Sequence, residues 1–239
     1  VKFHDGADFT AEDVKATYER ICRPPKGVVI PRTPLFAPVG EIVVVNPHQI
    51  EFRMTEPRPK AYMLSAFASG WNIIVRKKAL DDNQGNLRQV MNYPGTGPFK
   101  HVERRDKEVW IQERNPDYWN KGLPLVERLE IYHGFPFSPE HGAAFLAGKT
   151  DYARLLDPIS WRKAKEMKGV TAGVFNQSVI QAFWTNMQRN KALADPKVGR
   201  AIHLVMDRPT LVEVVKDTAP MQVGGFLYPF HEMSTPRAE

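Results

Sequence analysis

Cysteine is almost missing. Cys22 is the only one among 239 residues, so no internal disulfide can form. It stands where a helix should end, beside Ile21, and reads as a buried or half-buried thiol. No histidine or acid is arranged around it, so it lacks the partners of an activated nucleophile. No run of about 18 apolar residues occurs, which excludes a membrane-spanning helix. The opening Val1-Lys2-Phe3-His4 has no apolar stretch of the kind that marks a secretory leader, so no signal peptide is expected in this chain. His133 and His141 straddle a proline-containing turn. Neither His-x-x-x-His nor His-Glu-x-x-His is present. The nucleophile elbow Gly-x-Ser-x-Gly and the Walker loop are missing too. Gly95-Thr96-Gly97 runs into Pro98 and a strand-like segment, so no helix N-terminus waits there for a dinucleotide phosphate. No catalytic residue, no metal site and no cofactor is expected.

What is present is ordinary for a soluble protein: 42% hydrophobic and 25% charged residues. The length suits one large domain or two smaller ones. The net charge of +6 is scattered. The densest basic spots, Arg76-Lys77-Lys78 and Arg104-Arg105, are short, and Glu103 and Asp106 flank the second. A nucleic-acid binder would concentrate its charge, so no nucleic-acid partner is expected. Asp81-Asp82 lie beside Asn83 and Gly85 in what reads as a solvated loop.

Helix signals are legible. Thr10 followed by Asp13 has the look of an N-cap with an acid three residues on. Val14, Tyr18 and Ile21 then share a helix face, and Pro24-Pro25 ends it. Prolines 24, 25, 31, 34 and 38 make 23–38 an irregular loop. Ile42 to Val45 and Gln49 to Met54 read as strands joined by Asn46-Pro47-His48. A short helix is expected over 60–68 and a strand over Asn72 to Val75. Runs 98–104 and 108–114 read as strands about Arg105-Asp106-Lys107, and Val126 to Tyr132 as another. Ser138-Pro139, Asp157-Pro158 and Asp195-Pro196 each place a cap before a proline at the first helical position. Gly148 and Gly169 stop the first two helices. Asp207 and Pro209 open a fourth. Residues 170–175 and 179–185 read as strands between them. Helices alternating with strands argue α/β.

Gly95-Thr96-Gly97-Pro98 reads chiefly as a chain-routing turn, with glycines supplying backbone angles other residues avoid and Pro98 fixing the strand entry. A contact role stays open. Phe183 and Trp184 are adjacent on a strand and point to opposite faces, so one can pack while the other faces a cleft. Trp71 is either a wall residue or core.

Five segments, in order, are similar to those of the family 5 extracellular solute-binding proteins, the peptide, dipeptide and nickel receptors of ABC importers. Val1-Lys2-Phe3-His4-Asp5-Gly6 with Thr10-Ala11-Glu12-Asp13-Val14 resembles the family's opening. Gly95-Thr96-Gly97-Pro98-Phe99 matches its central turn, and Arg114-Asn115-Pro116-Asp117-Tyr118-Trp119 its Asn-Pro-x-Tyr-Trp. Leu146-Ala147-Gly148-Lys149-Thr150-Asp151 resembles its Leu-x-x-Gly-x-x-Asp. Asn186, Asp195, Val198, Ala201, Asp207 and Arg208 resemble its later segment. The departures are Gly199, where the family usually has Arg, and Ala192, where it often has Pro.

The resemblance implies a periplasmic binding protein type II-like α/β fold, two-lobed with an extra small domain and here truncated at both ends. It implies residues 1–93 as the small domain, 94–180 as part of the first lobe, and 181–239 as the hinge and the start of the second lobe. It implies a receptor and not an enzyme. The ligand would be an oligopeptide or dipeptide, delivered to an ABC transporter permease from the periplasm or from a cell-surface lipoprotein. Membrane association would come only through the transporter or an N-terminal lipid anchor missing here. Ser178, Phe183, Trp184, Thr185 and Asn186 would touch ligand, with Trp184 and Phe183 exchanging roles if the register slips by one. By itself this piece would bind weakly or not at all, and would expose apolar surface where strands are missing. An enzyme on a similar scaffold and a signalling or chaperone-like binding protein are the alternatives.

Overall fold

The Thr10–Asp13 cap does what its sequence suggests. The Asp13 carboxylate accepts the Thr10 N–H at 2.9 Å and the Thr10 hydroxyl at 3.1 Å, closing the first turn of helix α1, Ala11–Cys22. The computed structural model describes residues 1–133, 139–154, 157–174 and 185–215. Contacts divide the chain into two units, Val1–His133 and Gly134–Glu239.

In the first unit, α1 buries Tyr18 and Ile21. A 3₁₀ turn, Thr33–Phe36, follows in the proline-rich loop. Then come strands β1, Val39–Asn46, and β2, Gln49–Met54, paired antiparallel. On β2 the alternation is plain: Ile50, Phe52 and Met54 are half-buried while Glu51 and Arg53 are exposed. Helix α2, Lys60–Phe67, brings Ala66 and Phe67 to the same core. That core is aromatic at its centre. The Tyr18 ring meets Phe36, Phe52 and Phe67 at centroid distances of 5.3, 5.1 and 5.3 Å, each edge-on, the arrangement ring quadrupoles favour.

The expected strand over Asn72 to Val75 does not form. The Val75 N–H donates to Thr17 Oγ1 at 3.0 Å, and the same hydroxyl donates to Val75 O at 3.1 Å. A buried threonine on α1 thus takes the backbone groups a neighbouring strand would need. The chain then enters helix α3, Lys77–Asp82, whose first N–H donates to Asp13 Oδ1 at 2.8 Å. Asp81 and Asp82 lie on this helix, not in a loop. They pair with Lys77 and Lys78 one turn earlier, and Arg76 pairs with Asp5. The first basic spot is therefore neutralised locally.

A three-stranded antiparallel sheet, in the order β3, β4, β5, comprises Phe99–Arg105, Val109–Arg114 and Arg128–Tyr132. Lys107 takes a left-handed backbone (φ 62°) in the β3–β4 turn. Val109 and Ile111 on the central strand are buried. Arg104 pairs with Asp106 at 3.9 Å, and Arg105 with Glu103 at 3.4 Å and Glu108 at 3.1 Å.

In the second unit the Asp-Pro starts hold. Helices α4, Pro139–Leu146, α5, Pro158–Glu166, α6, Pro196–Val205, and α7, Arg208–Val215, begin where the sequence placed them. Asp157 Oδ1 accepts the Ser160 N–H, and Asp195 Oδ1 the Lys197 N–H, both at 2.8 Å. Gly148 and Gly169 have φ of +70° and +82°, the left-handed exit that favours glycine. Helices α4 and α5 pack closely because residue 142 is glycine. A Cβ there would collide with the Ser160 side chain. Residues 170–174 form no strand, and the remainder of that expected pair, 175 and 179–184, lies outside the described residues. Among the described residues no helix is long and apolar enough to cross a membrane.

Candidate functional site

Of the five expected ligand contacts, Ser178, Phe183 and Trp184 lie outside the described residues. Thr185 is half-buried and Asn186 exposed. The Asn186 Oδ1 accepts the Arg189 N–H at 2.9 Å, and its carbonyl accepts the Asn190 N–H at 3.1 Å. This side chain holds the turn that leads to a 3₁₀ segment, Lys191–Ala194. Trp71 is 77% exposed, so it is not part of this chain's core. Arg32 Nη2 donates to its carbonyl at 2.9 Å.

The best-organised polar arrangement lies elsewhere, where three of the sequence motifs meet. The His4 N–H donates to Gly95 O at 2.8 Å. The Gly95 N–H returns to His4 Nδ1 at 3.3 Å. His4 Nε2 lies 3.0 Å from Gly97 O. The same oxygen accepts from Asn115 Nδ2 at 3.2 Å, and the Asn115 N–H donates to Pro98 O at 2.8 Å. Asn115 is buried. The opening motif, the central turn and the Asn-Pro-x-Tyr-Trp segment are thus one hydrogen-bonded junction. The Tyr118 and Trp119 rings meet at 5.2 Å, tilted by 53°.

This changes the role of the glycines. Neither Gly95 nor Gly97 has a positive φ, so left-handed freedom is not why they are there. Gly95 lies against the His4 ring, where an added Cβ would sit 3.5 Å from Cε1. Nothing in the structure demands glycine at 97. No local sequence pattern reveals the junction, because its partners stand 91, 93 and 18 residues apart.

The remaining electrostatics are structural. Burial pushes the Cys22 thiol and the Tyr18 phenol above their ordinary values, the opposite of an activated nucleophile. Among the described residues no group of three or more His, Cys, Asp or Glu could hold a metal ion. A shallow groove is lined by Phe9, Ala11, Val14, Pro47, His48 and Ile50. His48 is the one titratable side chain in that lining.

Comparison with known proteins decides the family. The model for bacterial extracellular solute-binding proteins, family 5, middle region, matches residues 1–235. The chain belongs to that family. The glutathione-binding protein GsiB of Salmonella typhimurium is 25% identical over 218 residues, covering 90% of this chain and 40% of GsiB. The chain therefore spans about two fifths of the length of the curated relatives it matches. Campylobacter jejuni NikZ, solved in complex with Ni(L-His), is 25% identical with a TM-score of 0.60, over 70% of this chain and 32% of NikZ. A dipeptide-binding protein from Pseudoalteromonas sp. SM9913, solved with Met-Leu, is 27% identical with a TM-score of 0.52, over 63% of this chain and 32% of its own. The fold is α/β, of the periplasmic binding protein kind.

Proposed function

We propose that this chain is part of an extracytoplasmic receptor that captures a solute between two lobes and delivers it to the permease of an ABC importer. A peptide is the ligand class we favour. The family match over residues 1–235 carries this reading. The similarity to a glutathione-binding and a dipeptide-binding protein supports the peptide class, and the similarity to NikZ makes a nickel chelate its rival.

Residues 1–93 are assigned to the small domain, 94–180 to the first lobe and 181–239 to the hinge and second lobe. Ser178, Phe183, Trp184, Thr185 and Asn186 are assigned to the ligand face. The work is done by binding and not by catalysis. Hinge rotation closes the lobes, and waters in a roomy pocket bridge to different side chains at little loss of affinity. The periplasm, or the outer face of the cell membrane, is where such a receptor operates.

Calorimetry on the natural protein that carries this sequence tests the reading. Titration with mixed tri- to pentapeptides should give saturable heat, and Ni(II)–histidine should give none. Heat from the nickel complex alone would replace the peptide class. Turnover of peptides or esters would revive an enzyme.

A further inference from the structure

The His4 junction accepts only one protonation state of its ring. A backbone N–H can only donate, so the Gly95 N–H obliges Nδ1 to be an acceptor. The proton of the neutral ring must then sit on Nε2, which faces Gly97 O at 3.0 Å. Both ring nitrogens are used, and each contact presupposes the other. Protonating the ring places a second N–H against the Gly95 N–H. Two donors then face each other, and the acceptor that held Gly95 is lost. Histidine is the side chain whose ordinary charge change falls between about pH 5 and 8.

From this geometry we infer that His4 is a proton-sensitive pin. In its neutral form it fastens the opening segment to the Gly95–Pro98 turn. When charged it releases the Gly95 side of that turn, while Asn115 keeps hold of Gly97 and Pro98. The charged residues on the segments that meet there have partners of their own. On the opening segment Lys2 pairs with Asp8 and Asp5 with Arg76. Next to the turn Lys100 pairs with Asp117, and beside Asn115 Arg114 pairs with Glu127. None of these pairs includes the ring. The release is local. It removes one hydrogen bond, from the Gly95 N–H to Nδ1, and leaves the backbone bond from His4 N–H to Gly95 O in place.

Hydrogen exchange on the natural protein that carries this sequence provides the test, with the amides of Asn92, Tyr93, Gly95, Thr96 and Gly97 followed from about pH 8 to about pH 5 and corrected for intrinsic exchange. Opening of this segment should rise about three- to tenfold on acidification, the equivalent of one lost neutral hydrogen bond. His4→Gln cannot titrate and should show no such rise. An equal rise in His4→Gln, or none in the wild type, overturns the proposal. If His4→Gln is already open near pH 8, the ¹⁵N resonances of the wild-type ring decide. A neutral ring with its proton on Nε2 supports the pin, and a proton on Nδ1 refutes it.

Discussion

The two units earn their helices differently. In Val1–His133, helix α1 is held by what lies far away in sequence: Thr17 on Val75, Asp13 on Lys77, and Tyr18 among three phenylalanines. In Gly134–Glu239, helices α5 and α6 start from an Asp-Pro pair whose carboxylate caps the first turn, and α6 buries no residue of its own. Leu204 and Val205 on α6, and Leu211 and Val214 on α7, are exposed. Local chemistry is enough to place a helix, but only packing against distant residues fixes it.

Substitution at the core should separate the units most sharply. Phe36 is fully buried at 0% exposure, whereas Val205 is 84% exposed. Phe36→Ala should cost about 3–5 kcal/mol and Val205→Ala less than about 0.5 kcal/mol, read by urea denaturation. Comparable losses would erase the contrast. The second unit does have one tight contact, at Gly142. Gly142→Ala should cost about 1–3 kcal/mol through overpacking against Ser160, and adding Ser160→Gly should restore part of it. No recovery in the double variant would mean the helices do not meet there.

A smaller effect is expected at the caps. Asp195→Ala should lower the stability of α6 by about 1 kcal/mol, visible as lost Cα secondary shifts in its first turn. Unchanged shifts would make the cap ornamental. The smallest effect concerns Asp207. The Thr210 hydroxyl and N–H hold its carboxyl below the usual range. Because the folded value is depressed, this contribution is full above the unfolded carboxylate value of about 3.9. It fades as pH falls through the lower folded value. Fraying of α7 should therefore begin only below about pH 4, and Asp207→Ala should show no such acid step.

These contrasts also explain what could be read from the sequence. The helix starts at Pro158 and Pro196, the hairpins about Asn46–His48 and Arg105–Lys107, and the Thr10 cap are local events, and each was legible. The strand expected over Asn72 to Val75 does not form because Thr17, 58 residues from Val75, takes its hydrogen bonds. Asp81 and Asp82 looked like loop residues because Asn83 and Gly85 follow them. Yet Lys77 and Lys78 one turn back supply helical pairing. Gly95 and Gly97 suggested unusual backbone angles. Their actual circumstance, contact with the His4 ring and with Asn115, leaves no trace in neighbouring residues. At the proposed ligand face, Thr185 is a half-buried threonine and Asn186 a turn-forming asparagine. Neither names a ligand.

Native mass spectrometry of the natural protein, as purified and without added solute, tests the peptide-receptor reading most directly. A series of adducts whose masses fit short peptides of mixed sequence, lost on mild unfolding, is the result expected. A single uniform adduct of non-peptide mass, such as a nickel chelate, would contradict the peptide class.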